Sequence, residues 1–540
     1  MGGVEMVADM LDRIDPLDDS VGMSLDDIET LRELDEWVPG HFWCPDTLRL
    51  VCPTSFDTYV ERTEDDLVRM VVELNRGRRA WGLAQLADAA EAGDDVRKKR
   101  ASQYLAHVKQ ASSAGRIRGV VSLFKSIHAI PSDRLNTQPD VLGTPMGVLD
   151  LDTGDMWPEE DREAVQSWLI TKSTRADVES REGQELEYDE RWDEFVDEIM
   201  CHDPERVSYL RRALGYSILG GNPEECMFVA YGPTTRNGKG TLLNSITHAL
   251  GDYATTAAPN FLLASRTTSN GPDEALASLV GTRFVTISEP PEGRRLDESK
   301  VKALTGNDDQ STSKKYGHQF NFVPQFTMWM SCNRLPTVSD TSVFTSGRIR
   351  VIPFEAHFDG EARDITLKER FATERGMMTI LAWLVEGFMD WRERGLDEPE
   401  NVRQATLAYA QTGGSTVRRF IDEACILTMD ASVRARDFKE AYAAWCGDRD
   451  EDPVPSKRIL GELEQLAISS QKRHGGVIWY KGIALTSNAR ERWLDIAEDG
   501  AKAGTGKLSK SPRSSSGGSA RTKTGATPGG KAEGGRVRLR

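Results

Sequence analysis

Residues 226–250 read CMFVAYGPTTRNGKGTLLNSITHAL, and three patterns follow one another within them. Cys226 to Tyr231 is a short apolar run of the kind found in strands covered on both faces. Gly232-Pro233-Thr234-Thr235-Arg236-Asn237-Gly238-Lys239-Gly240-Thr241 is a polar loop carrying glycines. Thr241 to Leu250 then has helical spacing and is closed by Gly251. Strand, glycine-bearing loop, lysine and helix in that order make an anion site: backbone amides and the helix N-terminus surround a phosphate, and the lysine reaches its outer oxygens. The stretch departs twice from the usual phosphate loop. Five residues, rather than four, separate Gly232 from Gly238, and Gly240 follows Lys239 where a hydroxyl residue normally ligates magnesium. Pro233, which has no amide hydrogen, lengthens the entry to the loop. Thr241 offers a hydroxyl one position late, unless the ion keeps an extra water. The alternative is a glycine-rich connection whose lysine is merely solvated.

Further chemistry lies downstream at strand ends. Arg283 to Ser288 is a second apolar run and ends in Glu289. A carboxylate there can polarise an attacking water and help hold a metal, so Thr241 and Glu289 are the candidate magnesium contacts. Phe326 to Ser331 is a third run, delivering Asn333, whose amide both donates and accepts and so can orient a water against a terminal phosphate. Taken alone, an asparagine there is a turn former. Ile349 to Ile352 is a fourth, preceded by Arg348, whose planar fork suits charge on a transferring phosphoryl group. Strands alternating with helical segments between Glu225 and Phe354 predict an α/β fold with a mostly parallel sheet covered on both faces.

Around this centre the chain divides into unlike modules, with no repeat of 20 to 50 residues. Residues 1–114 read as mainly helical, through Glu64 to Leu74 and Leu83 to Val108. Residues 115–203 form a small mixed segment in which Pro139 to Pro158 reads as short strands around a Thr153-Gly154 turn. Residues 204–355 hold the core, entered by an amphipathic helix from Pro204 to Ile218. Residues 356–415 are helical, with Leu381, Leu384, Val385 and Phe388 on one face. Residues 416–497 make a last compact unit, with Phe438, Tyr442 and Trp445 on one helix face, a helix over Ser456 to Leu466, and a hairpin-like end at Val477 to Leu485. Residues 498–540 read as a disordered basic tail.

Composition bounds the reading. The 540 residues carry 68 Lys plus Arg against 85 Asp plus Glu, a net charge of −17, which taken alone argues against nucleic acid. The charge is uneven, however: from Gly500 to Arg540 ten basic residues face only Glu533, giving +9 and leaving −26 elsewhere. That tail is either a solubilising end or a non-specific phosphate tether. No apolar run approaches the roughly 18 residues that span a bilayer, and the acidic start lacks the pattern of a secretory signal. A cytoplasmic protein without membrane association is expected. Seven scattered cysteines never form a Cys-x-x-Cys pair, and His41, Cys44 and Cys52 lack a second pair of ligands, so neither a disulfide framework nor a zinc site is indicated.

Taken together, GPTTRNGKGT at Gly232 to Thr241, FVTISE ending at Glu289, KALTGNDD at Lys302 to Asp309, FNFVPQFTMWMSCNRLP ending at Pro336, and GRIRVIPF from Gly347 resemble the superfamily 3 helicases, in particular their poxvirus and phage primase-helicase branch. Order and compact spacing carry the resemblance. MGVLDLDTG at Met146 to Gly154 and YLRRALGYSILGG at Tyr209 to Gly221 resemble the segment preceding the core in that branch, and the end near YKGIAL resembles its C-terminal module. The likeness covers roughly Gly143 to Leu485. It implies an AAA+ type P-loop ATPase core with a helical N-terminal region and a C-terminal winged-helix-like module, acting as a hexameric ring that hydrolyses ATP with Mg²⁺ and moves on single-stranded or forked DNA, usually 3′ to 5′. By the same resemblance Lys239 contacts the phosphates, Glu289 is the acidic residue of the second motif, Asn333 is the sensor and Arg348 reaches a neighbouring subunit's nucleotide. Gly347 stands where the branch often has another arginine.

The stretch QSTSKKYGHQFNF resembles the DNA-contacting hairpin of the ring pore, which makes Lys314, Lys315 and His318 phosphate contacts and Tyr316 a stacking residue. A solvated basic loop is the alternative. Two further readings stand beside the helicase: a fused primase-helicase, and a DNA-binding scaffold that uses nucleotide only as a conformational ligand. The region before Gly143 is short for a primase with its own core and sets its acidic pairs in helices or loops, so priming is expected from a separate primase or polymerase.

Overall fold

A computed structural model describes residues 3–18, 26–178, 187–264, 273–291, 294–313, 319–338, 342–360, 363–412, 416–449, 453–473 and 476–494. The protein is a mixed α/β molecule built around one parallel sheet. Strands are numbered in chain order: β1 (Phe42–Cys44), β2 (Arg49–Pro53), β3 (Tyr59–Arg62), β4 (Val141–Thr144), β5 (Gly147–Asp150), β6 (Met227–Tyr231), β7 (Ala254–Ala257), β8 (Phe284–Ser288), β9 (Gln310–Ser313), β10 (Gln319–Phe322), β11 (Thr327–Cys332), β12 (Ile349–Pro353), β13 (Cys425–Arg434), β14 (Ser469–Lys472) and β15 (Ile478–Leu485).

The central sheet runs β12-β6-β11-β8-β7, every pair parallel. Side chains alternate across a strand, so a strand apolar at every position must be covered on both sides. In β6, Phe228 and Ala230 enter one core with Trp329 and Ile352, while Met227 and Val229 enter the other with Met328, Met330 and Val351. The first core is roofed by the helices Pro204–Tyr216, Lys239–Leu250 and Glu374–Arg394, through residues such as Leu210, Leu214, Leu242, Ile246, Leu384 and Phe388. β7, an edge strand of Ala and Thr, has too little apolar character to be read from its sequence.

The N-terminal unit packs the helices Gly3–Ile14, Asp27–Trp37, Glu64–Glu91, Asp95–Ala111 and Ala114–Ile127 about one core from Val7 to Phe124. It also holds the antiparallel sheet β1-β2-β3, which the helical reading of this region did not include, and its last helix runs on to Ile127, past position 114. β4 and β5 form a hairpin that turns at Pro145-Met146, while the expected Thr153-Gly154 turn lies after β5 and leads only to an isolated bridge between Leu149 and Met156. The hairpin is tied to the central sheet by the Tyr253 hydroxyl, which accepts from the Gly143 amide at 2.8 Å, while buried Arg283 donates to the carbonyls of Ile218 and Gln138 at 2.9 and 3.0 Å. The C-terminal unit runs helix Thr416–Ala424, β13, helix Ala435–Gly447, helix Ser456–Gln465, β14 and β15, with the antiparallel sheet ordered β13-β15-β14. Phe438, Tyr442 and Trp445 all lie in its core. β13, missing from the sequence reading, is a long strand broken by a bulge between Leu427 and Ser432. Among the described residues no helix is long and apolar enough to cross a membrane. The basic tail lies outside the described residues.

Candidate active site

Three neighbouring strands of the parallel sheet end side by side, and their ends carry the predicted groups. β6 runs out at Tyr231 into the loop, β11 at Cys332 into Asn333, and β8 at Ser288 into Glu289. Tyr231 pairs in register with Cys332, and Ser331 with Ser288, so all three ends lie at one edge. Backbone bonds fix them further: the Gly232 amide donates to the Cys332 carbonyl at 3.2 Å and the Glu289 amide to the Ser331 carbonyl at 2.8 Å. Glu289 itself is exposed and has φ +45°, an uncommon backbone for a non-glycine residue.

The loop is closed on itself. Asn237, buried, donates from Nδ2 to the Thr234 carbonyl at 2.6 Å. Gly238 caps the helix with φ +82°, where an added Cβ would meet Ile199 Cγ2 at 2.3 Å. Helix then starts at Lys239, two residues before the Thr241 read from spacing, which puts Lys239, Gly240 and Thr241 in its first turn. Lys239 is only 4% exposed and donates from Nζ to Asn333 Oδ1 at 2.9 Å and to the Gly232 carbonyl at 3.3 Å. Burial draws its ammonium below the ordinary lysine range, with Cys332 and Glu289 opposing that shift. Burial likewise pushes the Cys332 thiol up to about 12. A buried cation held by one amide and one carbonyl, with no carboxylate bonded to it among the described residues, is short of negative charge.

Beside the loop lies a cavity of about 310 Å³, lined by Gly238 and Thr241 together with Arg191, Phe195, Arg236, Phe358, Arg363, Ile365, Leu367 and Lys368. Four cations and several apolar side chains surround it, with Asp364 the one carboxylate in the lining. The segment after β12 straps the loop: the Phe358 amide donates to the Arg236 carbonyl at 2.9 Å, His357 Nδ1 is 2.9 Å from the Thr235 carbonyl, and Arg236 is ion-paired with Asp359. Sequence reading placed Thr235, Arg236, Gly238 and Thr241 in the loop but missed the other residues around it. They come from the helix Arg191–Ile199 and from residues 357–368, which carry no spacing motif; only folding brings them to the loop.

Arg348 is not with the others. Its carbonyl accepts from the Met227 amide at 2.8 Å, at the start of β6, so the length of that strand, about 15 Å, separates it from the loop of its own chain. There its guanidinium is bonded to Glu225 at 2.8 Å and to the Thr305 hydroxyl at 2.9 Å. The residues predicted to touch DNA, Lys314, Lys315, Tyr316 and His318, lie outside the described residues. The strands that flank them, β9 and β10, pair as antiparallel hairpin arms with Ser313 opposite Gln319. Among the described residues no three His, Cys, Asp or Glu side chains cluster as a metal site, and Cys44 and Cys52 are buried free thiols.

The family described as D5 N terminal like matches residues 31–201, and a family of unknown function matches residues 230–348. A protein of Acanthamoeba polyphaga mimivirus designated a helicase is 28% identical over 271 residues, which are 45% of this chain and 28% of that one. One from Frog virus 3 (isolate Goorha), also designated a helicase, is 25% identical over 270 residues, 46% of this chain and 27% of its own length. The matched stretches thus span about a quarter of these curated relatives. The apo structure of the NrS-1 C-terminal region superposes with a TM-score of 0.45 at 9% identity, covering 85% of this chain and all of that one. Part of the N-terminal half thus resembles the D5 N terminal like family, and 45–46% of the chain is similar to viral proteins designated helicases.

Proposed function

We propose that this chain is the ATP-driven motor of a DNA helicase. The observation that carries the reading is the convergence of Lys239, Asn333 and Glu289 on one sheet edge, around a buried ammonium in need of an anion. The residues fit ATP with Mg²⁺: the loop amides and Lys239 would hold the phosphates, Thr241 and Glu289 would face the metal, and the cavity beside Thr241 would take the nucleoside. The ion supplies charge neutralisation of the phosphate oxygens. Glu289 would polarise the attacking water, and Asn333 would orient it.

A loop strand flanked by the Asn333 strand on one side and the Arg348 strand on the other supports an AAA+ core. Helices alternating with a three-stranded antiparallel sheet support a winged-helix reading of residues 416–497. The position of Arg348, a strand's length from its own loop, supports a site shared between subunits of a homo-oligomer, a hexamer in this reading, around single-stranded or forked DNA. The protein acts in the cytoplasm of a host cell during phage-type replication, with primers made by a separate primase or polymerase. DNA-stimulated ATP hydrolysis tests the motor: Lys239→Ala and Glu289→Gln should each lower it by at least about a hundredfold, and intact hydrolysis in either would overturn the assignment.

A further inference from the structure

In the C-terminal unit β15 lies between β13 and β14, and its Trp479 stands opposite Arg434 on one neighbour and Gln471 on the other. The Arg434 guanidinium lies 5.5 Å and that of Arg473 4.6 Å from the centre of the Trp479 ring. Two residues along, Lys481 stands opposite Ser432 and Ser469. Tyr480, Ile483 and Leu485 go into the core, and Gly482, at φ +101°, resets the alternation. Trp479 is half-buried, while Arg434, Arg473 and Lys481 are exposed on the other face.

The charge on this face is uncompensated. Elsewhere in the same unit Arg436, Arg449, Arg458 and Arg492 are ion-paired with Glu440, Glu423, Glu462 and Asp448. Among the described residues Arg434, Arg473 and Lys481 have no carboxylate partner; Arg473 reaches only the Ser432 hydroxyl, at 3.4 Å. The single acid on the three strands, Asp430, sits in the bulge of β13, out of register with β15. Strands about 4.8 Å apart spread the three cations over about 10 Å. Two guanidinium forks, an ammonium, an aromatic ring, and Ser and Gln hydroxyl and amide groups are what a phosphodiester strand with an unstacked base requires.

We infer that this outer sheet face is a nucleic-acid contact of its own, taking the backbone of a single strand on Arg434, Arg473 and Lys481 and a base against Trp479. It is independent of the loop chemistry and separate from the candidate pore hairpin. The test is fluorescence anisotropy of labelled oligo(dT) with the full chain across about 50 to 200 mM salt. Each phosphate contact on a single strand contributes about 0.7 to the slope of log affinity against log salt. The exposed-site variant Arg434→Gln/Arg473→Gln/Lys481→Gln should therefore flatten the slope by about 2 and weaken binding by about tenfold or more at the low-salt end. Trp479→Leu should cost about tenfold with the slope retained, a separation that loss of packing alone does not produce. An oligo(U) arm tells RNA from DNA. Unchanged slope and affinity in the triple variant overturns the proposal. So does competition by poly-glutamate that matches oligo(dT) and disappears in the same variant, which would make the face a docking site for acidic protein.

Discussion

Lys239 combines two conditions that seldom coexist, burial and a positive charge without a bonded carboxylate among the described residues. Its pKa is lowered by burial, and bound phosphate would raise it again. Above the lowered value the free protein has lost a proton that the complex retains, so binding takes up a proton and affinity falls as pH rises, by at most about tenfold per unit. Titration of a fluorescent nucleotide from neutral to alkaline pH should show that fall in the wild type. Lys239→Arg, whose guanidinium stays charged, should flatten it. A flat wild-type profile counts against Lys239 as the phosphate ligand. Asn333 and Glu289 were legible from sequence because each follows the end of an apolar run and strand ends of a parallel sheet share an edge, and Lys239 because a glycine-bearing loop joins such a run to a helix. The strap from His357 to Asp359 that meets Arg236 was not, because nothing in the chain between them marks the approach.

At the scale of elements, the roof of the first core depends on two helices whose backbones touch. A Cβ on Gly215 would lie 2.2 Å from the Phe388 amide nitrogen, and one on Gly387 would lie 2.4 Å from the Arg211 carbonyl oxygen. Neither obstacle is the end of a flexible side chain, so the helices themselves must part. Gly215→Ala should destabilise the protein by about 1–3 kcal/mol in urea unfolding, in spite of alanine's better helix propensity. Gly461→Ala, in a helix with open space at that position, should stabilise by up to about 1 kcal/mol. Equal shifts of one sign would contradict the close approach. Periodicity revealed the buried faces of both helices, but which faces meet depends on the crossing and cannot be read from either pattern alone.

For the whole molecule, Arg348 decides whether one chain suffices. It is bonded to Glu225 and Thr305 at the far end of β6, where it cannot serve its own loop. If it serves a neighbour, Arg348→Ala and Lys239→Ala proteins should each be inactive alone, and mixing them should restore a measurable fraction of DNA-stimulated hydrolysis, as some mixed interfaces hold one intact site. No recovery on mixing, with mixed assemblies verified, would leave Arg348 as a strand-end ion pair. The net charge of −17 belongs to this scale as well: it averages over a face of uncompensated cations on the C-terminal sheet, and local fields act on a strand where it lies.

By itself the sequence determined the parallel sheet, the loop and its lysine, and the strand ends bearing Glu289 and Asn333, because burial on both faces writes continuous apolar runs and strand ends are where such runs stop. Tertiary structure alone decided the strand order, the cavity built from Arg191, Phe195 and Phe358, the remoteness of Arg348, and the pairing of Trp479 with two arginines. The physical reason is that local patterns report how a residue meets water and its chain neighbours. Register and packing, which join residues far apart in the chain, are settled only when the elements close on one another.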